Sequence, residues 1–210
     1  MSNLFEPLKL FLQKRETEYS QISEDRKKTL LQFSESIKLS LAENNLSELV
    51  FVCTHNSRRS QIAQMLMLTS AEYLGISGIG AYSGGTEVTA LHHNSAIALG
   101  RIGFKVEAEE TKDSNPKYWI SFKSEMISIT AYSKLYSDAV ASKQKFIAVM
   151  VCSSADEACP FVPGAFARIS LPYSDPKDFD TSPDPIQAYI RTCEEIGREM
   201  LFVLSNVRKF

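Results

Sequence analysis

The chain has 210 residues, enough for one domain or for one domain with an appendage. Apolar residues make up 44% and charged residues 23%, a globular composition that excludes wholesale disorder. Twenty-three Lys and Arg against 25 Asp and Glu leave a net charge of −2, so no global field gathers nucleic acid or anionic lipid, and an anion site has to be built locally.

Residues 1–46 predict an N-terminal helical extension. Leu4, Leu8, Phe11 and Leu12 recur at helical spacing, as do Leu30, Phe33, Ile37 and Leu41, with Ser23 as N-cap and Glu24 and Asp25 in the first turn. Such stripes either cover the main domain or pair with a second subunit. Glu6, Pro7 and Lys9 break the opening segment, which therefore lacks the apolar region of a secretory signal. No apolar run reaches the ~20 residues of a membrane span, so a cytoplasmic protein without membrane contact is expected.

Residues 47–210 predict a single catalytic domain. Leu49-Val50-Phe51-Val52 is a continuous apolar run, the mark of a buried parallel strand, and helical periodicity resumes from Ile62 to Leu68. A second strand is expected near residues 79–83, stopped by Gly84-Gly85, and a helix at 93–102. Residues 105–144 are the least legible, with a strand near 118–122 and either a strand or a helix at 127–136. Residues 146–151 form another buried strand, 167–171 a weaker one, and an amphipathic helix fills 186–204. Strands alternating with helices imply an α/β fold: a compact three-layer domain on a central, mostly parallel four-stranded sheet.

Between the first strand and its helix stands Cys53-Thr54-His55-Asn56-Ser57-Arg58-Arg59-Ser60. Backbone N–H groups of such a turn and the positive end of the helix converge on an oxyanion. Thr54, His55, Asn56, Ser57, Arg58 and Arg59 are the candidate oxyanion-binding positions. Cys53 lies in the same field, which favours its thiolate. Arg59 can clamp two oxygens of a tetrahedral anion, Ser60 can hydrogen-bond the sulfur, and the Arg58 side chain is expected to point to solvent. Cys152 ends a strand whose carboxyl end shares a sheet edge with this loop, and Cys159 lies seven residues on. A disulfide needs their Cα atoms within about 7 Å, which a looped or helical step of seven residues can meet. Asp175-Pro176 opens a Pro-rich loop, where a carboxyl group could protonate a leaving oxygen, whereas Asp184-Pro185 reads as a helix cap. Cysteine and histidine spacing predicts no metal site.

The segment 53–64 and the run Ser83-Gly84-Gly85-Thr86-Glu87 resemble the low-molecular-weight protein tyrosine phosphatase superfamily, which includes the thioredoxin-coupled arsenate reductases. The resemblance runs from about Leu49 to Leu204. It implies Cys53 as nucleophile, Arg59 as anion clamp, Asp175 as general acid, and a Cys53/Cys152/Cys159 thiol relay, the pair Cys152 and Cys159 matching the reductases in spacing. Reducing equivalents then come from thioredoxin, with no bound cofactor. Four positions depart from the pattern. His55 stands where glycine is usual, Arg58 where cysteine is common, Gln64 where some reductases use an acidic residue at a potassium site, and Lys177-Asp178 where phosphatases often carry an aromatic pair. An arsenate reductase is the first expectation. A phosphatase acting on phosphotyrosine or small phosphoesters is the alternative, and an oxyanion sensor using the N-terminal helices for assembly is a third class.

Overall fold

In the computed structural model, which describes residues 3–140 and 145–208, the helices α1 (Glu6–Glu16) and α2 (Glu24–Asn44) precede β1 (Ser47–Cys53) and α3 (Arg59–Leu74). There follow β2 (Ile79–Gly85), α4 (His93–Ile102), β3 (Lys105–Ala108), β4 (Tyr118–Ser121), β5 (Ile129–Ala131) and α5 (Tyr136–Val140). The order ends with β6 (Phe146–Met150), α6 (Ser153–Ala158), β7 (Ala165–Ser170) and α7 (Pro185–Arg208). Ser23 caps α2, its Oγ accepting from the Arg26 amide at 3.3 Å, and Asn45 ends it in the left-handed region at φ 54°.

Four strands form one sheet in the order β2-β1-β6-β7, all parallel, with helices flanking it. The two continuous apolar runs supply its centre, as strands covered on both faces require. Val52 pairs with Met150 and Cys53 with Gly85, so Cys53, Gly85 and the residues that follow Met150 reach a single sheet edge.

Helix α7 packs against α1, α2, α3 and α4. Leu8, Leu12, Leu30, Phe33 and Ile37 are fully buried in the same core as β1. The two N-terminal stripes thus cover their own chain. Polar groups reinforce the join. Arg26 Nε and Nη2 donate to Glu199 at 2.8 and 3.0 Å, Tyr173 Oη donates to the same carboxylate at 2.6 Å, and the guanidinium lies 4.8 Å over the Tyr173 ring. Buried beside this carboxylate, the Tyr173 hydroxyl is pushed well above its ordinary range, first by desolvation and then by Glu199.

Residues 105–131 form a second sheet, β3-β4-β5, antiparallel and separate from the first. Its strands are three or four residues long, too short for alternation to show in sequence. Residues 127–136 are neither one strand nor one helix: β5 ends at Ala131, a connection crosses to the site, and α5 begins at Tyr136. Residues 141–144 of this segment lie outside the described residues. The main-chain bond from Phe5 N to Phe122 O, 3.0 Å, joins the start of the chain to this sheet.

Phe33→Ala should cost about 3–5 kcal/mol, the usual loss for a fully buried aromatic side chain, read from the urea midpoint at unchanged slope. A loss below about 1 kcal/mol would show that α2 is not part of the cooperative core.

Candidate active site

The loop between β1 and α3 is shaped by where its carbonyls go. Cys53 O accepts from Thr86 N at 3.2 Å, and Thr54 O from Glu87 N at 2.8 Å. His55 O accepts from Ser133 Oγ at 2.7 Å and Thr89 Oγ1 at 3.2 Å. Asn56 O accepts from Gln61 Nε2 at 3.1 Å, Ser57 O from His92 N at 3.0 Å, and Arg58 O from Ile62 N at 3.0 Å. Each of the six carbonyls is therefore held by the scaffold. Among the described residues, no amide of residues 54–60 donates to a protein acceptor. Buried backbone donors are nearly always paired, so a run of free amides at a helix start is a cradle for an anion.

Asn56 is the keystone of this turn. It is fully buried at φ 46°, a left-handed conformation that asparagine adopts more readily than most residues. Its Oδ1 accepts from Lys134 N at 3.1 Å and Gln61 Nε2 at 3.2 Å, and its Nδ2 donates to Ser60 Oγ at 2.9 Å. Ser60 Oγ in turn lies 3.1 Å from Cys53 Sγ. Gly85 is required alongside: a Cβ there would stand 2.7 Å from Thr54 O and 2.8 Å from Asn56 N.

Arg59 Nη1 donates to Tyr173 O at 2.9 Å and Nη2 to Asp175 Oδ2 at 2.5 Å, while its Nε is buried with no acceptor. Asp175 Oδ1 accepts from Lys177 N at 3.1 Å and caps the 3-10 turn Pro176–Phe179. Asp184 Oδ1 accepts from Gln187 N at 3.3 Å at the start of α7, far from this cluster in role. The structure thus pairs Cys53 with Ser60 and Arg59 with Asp175.

The Arg58 side chain does not point to solvent. Its Nε donates to Tyr189 Oη at 3.0 Å, Tyr189 Oη donates to Asp180 Oδ1 at 2.7 Å, and His92 Nδ1 lies 3.1 Å from the same hydroxyl. The reason is tertiary: α4 and α7 pack together and carry His92 and Tyr189 to the foot of the loop. Burial and the bond to Asp180 raise the Tyr189 hydroxyl to about 12, and burial followed by the Arg58 charge lowers His92 below its ordinary value.

Cys152 is buried at the N-terminal cap of α6, its sulfur 3.5 Å from Thr54 Oγ1 and 3.4 Å from Ala155 N. Cys159 is half-buried at the other end of that helix. A helical step of seven residues rises roughly 10 Å at 1.5 Å per residue, so a bond between the two sulfurs requires the helix to open. Arg168 holds the helix closed, its Nε donating to Cys159 O at 3.0 Å and its Nη2 to Asp156 O at 2.7 Å. Cys193 is a core residue, and burial pushes its thiol far up. All four cysteines are free, and no group of three His, Cys, Asp or Glu gathers among the described residues. Gln64 Oε1 accepts from Ser83 Oγ at 2.6 Å.

Sequence reasoning missed the outer support. Ser133, only 1% exposed, donates to His55 O and accepts from Thr89 N at 2.9 Å, while Asn115 bonds its carbonyl at 2.8 Å and its amide at 3.0 Å. No local signal marks either residue. Asn56 did carry one, as the loop residue able to take a positive φ.

A parallel α/β sheet with a Cys-x5-Arg-Ser turn at its edge is the frame of a cysteine-dependent phosphatase-like enzyme. The family model of the low molecular weight phosphotyrosine protein phosphatases matches residues 48–120. Arsenate reductases of Bacillus cereus (strain 03BB102) and Brevibacillus brevis (strain 47) are 28% and 26% identical over 158 residues, 73% of this chain and 98% of each relative. A low molecular weight protein tyrosine phosphatase from T. tengcongensis shares the fold with a TM-score of 0.50 at 15% identity, over 76% of this chain and 98% of its own. Another from Vibrio cholerae O395 gives 0.50 at 13% identity, over 78% and 97%. The chain is thus similar to the low molecular weight phosphotyrosine protein phosphatases over residues 48–120 and to arsenate reductases over 158 residues.

Ser133→Ala should weaken phosphate binding about tenfold with little loss of thermal stability, because it leaves the His55 carbonyl short of its strongest donor. Calorimetric titration with phosphate checks this, and unchanged affinity would remove Ser133 from the support of the loop.

Proposed function

We propose that this chain is an arsenate reductase. The observation that supports it is the sulfur of Cys152 beside Thr54, one residue from Cys53, with Cys159 at the far end of the same short helix.

Arsenate matches phosphate in shape and charge and binds the amides of residues 54–60 and the Nε of Arg59. Ser60 accepts from Asn56 and so keeps its own proton for the Cys53 sulfur, which stabilises the thiolate. That thiolate attacks arsenic(V), and a hydroxyl group departs as water with a proton from Asp175. Cys152 thiolate then attacks Cys53 Sγ. The electron pair of the S–As bond passes to arsenic, arsenite leaves as arsenic(III), and a Cys53–Cys152 disulfide remains. Cys159 attacks Cys152, frees Cys53 and leaves a Cys152–Cys159 disulfide for a dithiol protein such as thioredoxin to reduce. The last exchange requires α6 to unwind. Six residues make a helix too short to persist by itself, and the Arg168 bonds supply its hold.

The phosphatase reading is favoured by a different observation: Cys53 is hydrogen-bonded to Ser60, and Arg59, the residue before that serine, is bonded to Asp175, with no helix to unwind. Water then resolves a phospho-cysteine. Both activities share the first attack.

Thioredoxin-coupled NADPH oxidation with arsenate, run beside hydrolysis of an aryl phosphate, tests these readings. Cys53→Ser should abolish both activities. Arg59→Lys should lose at least about tenfold in each, because an ammonium cannot hold Tyr173 O and Asp175 and still present the Nε donor to the anion. Cys152→Ser should stop arsenite formation and spare ester hydrolysis. Cys159→Ser should allow one turnover and accumulate the Cys53–Cys152 disulfide, visible by mass spectrometry. Full coupled turnover in both of these serine variants would refute the relay.

A further inference from the structure

Beside the 53–60 loop opens a cleft of about 470 Å3, lined by His55, Arg58, His92, His93 and Lys177 together with small or aliphatic residues. No aromatic ring other than histidine and no carboxylate lines it, among the described residues. Residues remote in sequence, His55, Arg58 and Lys177, meet in one cavity beside the anion loop, and the Lys177 amide donates to Asp175 Oδ1 at 3.1 Å.

The charge balance of the cleft favours an anion. Asp180 is the carboxylate behind it and is already engaged: its Oδ1 accepts from Tyr189 Oη at 2.7 Å and Asn94 Nδ2 at 3.3 Å, and its Oδ2 lies 3.6 Å from His92 and 3.8 Å from Arg58. Glu87 stands at the rim, 3.4 Å from His55. Arg58 uses its Nε on Tyr189, and its terminal nitrogens make no hydrogen bond among the described residues. Tyr189 and the Asp180 carboxylate therefore hold the guanidinium along the wall. The Lys177 side chain is exposed and has no ion pair among the described residues, and neither has His93.

We propose that this cleft receives a second anionic group, a carboxylate or phosphate carried on the leaving portion of a small phosphoester, beside the phosphoryl group held in the 53–60 loop. The proposal rests on the reading of that loop as a reactive oxyanion site. Arsenate has no leaving portion and uses the loop alone, so the cleft adds an ester substrate to the same Cys53 chemistry. Cys53 attacks phosphorus, the P–O ester bond breaks, the leaving oxygen takes the proton of Asp175, and water hydrolyses the phospho-cysteine to phosphate. Arg58, Lys177 and His93 are the specificity residues. An aromatic leaving group without charge gains nothing from this wall, since the stacking surface that a phosphotyrosine ring would use is missing.

The test compares kcat/KM for 3-carboxyphenyl phosphate and phenyl phosphate, which differ by one charged group remote from the reacting bond. The full-length parent should prefer the carboxylated ester about fivefold at low salt, as an exposed ion pair allows, and the preference should shrink toward unity at about 0.5 M salt. The double variant Lys177→Gln, His93→Gln should abolish the preference, whatever happens to the absolute rates. A ratio near one in the parent would overturn the proposal, as would a ratio that the double variant leaves unchanged. Arsenate reduction with no hydrolysis of either ester would overturn it while leaving the reductase reading in place. Absence of turnover with arsenate and with both esters would overturn the oxyanion reading itself.

Discussion

Six consecutive carbonyl groups, from Cys53 through Arg58, are each held by a donor in the surrounding scaffold, and the rest of the structure depends on that constraint. A peptide whose carbonyl is held on one side presents its N–H on the other. Repeated along a tight turn, this makes a ring of donors that costs little to organise when an anion arrives, because the scaffold has already fixed it. Asn56 ties the turn together at a conformation most residues resist, and its amide nitrogen passes the order on to Ser60 and so to the Cys53 sulfur.

The donors that hold the carbonyls come from distant parts of the chain. Thr86 and Glu87 follow the close approach allowed by Gly85, His92 opens α4, and Ser133 comes from the connection after the second sheet. The N-terminal extension acts one step further out. Arg26 grips Glu199, Glu199 grips Tyr173, and the carbonyl of Tyr173 receives Arg59. Helices that carry no site residue therefore still fix the arginine beside Cys53.

Redox chemistry makes the opposite demand. A loop that binds oxyanions works by rigidity, whereas a thiol relay needs one sulfur to meet two partners. In the proposed reductase the fold would separate the two demands. The anion loop is bonded from every side, while Cys152 and Cys159 flank a helix of six residues whose hold comes from one arginine of the edge strand β7. Short helices with few interactions open at low free-energy cost, and this is the part of the site suited to movement.

Two continuous apolar runs were enough to read the central strands, because a strand covered on both faces has no polar alternation to conceal it. The Cys-x5-Arg-Ser turn was legible for a related reason: its residue types and its place between strand and helix are local properties. Asp175 and Asp184 were told apart by their distance from the final helix, again a local fact. Of the second sheet β4 was legible, near residues 118–122, but β3 and β5 were not, and neither was Ser133, since nothing in its own neighbourhood marks a bond to His55, 78 residues away. The side chain of Arg58 was misread for the same reason, as its partners Tyr189 and Asp180 lie more than 100 residues on. Composition, periodicity and motif thus determined the fold class and the reactive turn. Only the tertiary structure decided which way the carbonyls face, where Arg58 goes and how far apart Cys152 and Cys159 stand, because hydrogen-bond direction and through-space distance are set by packing between elements that are remote in sequence.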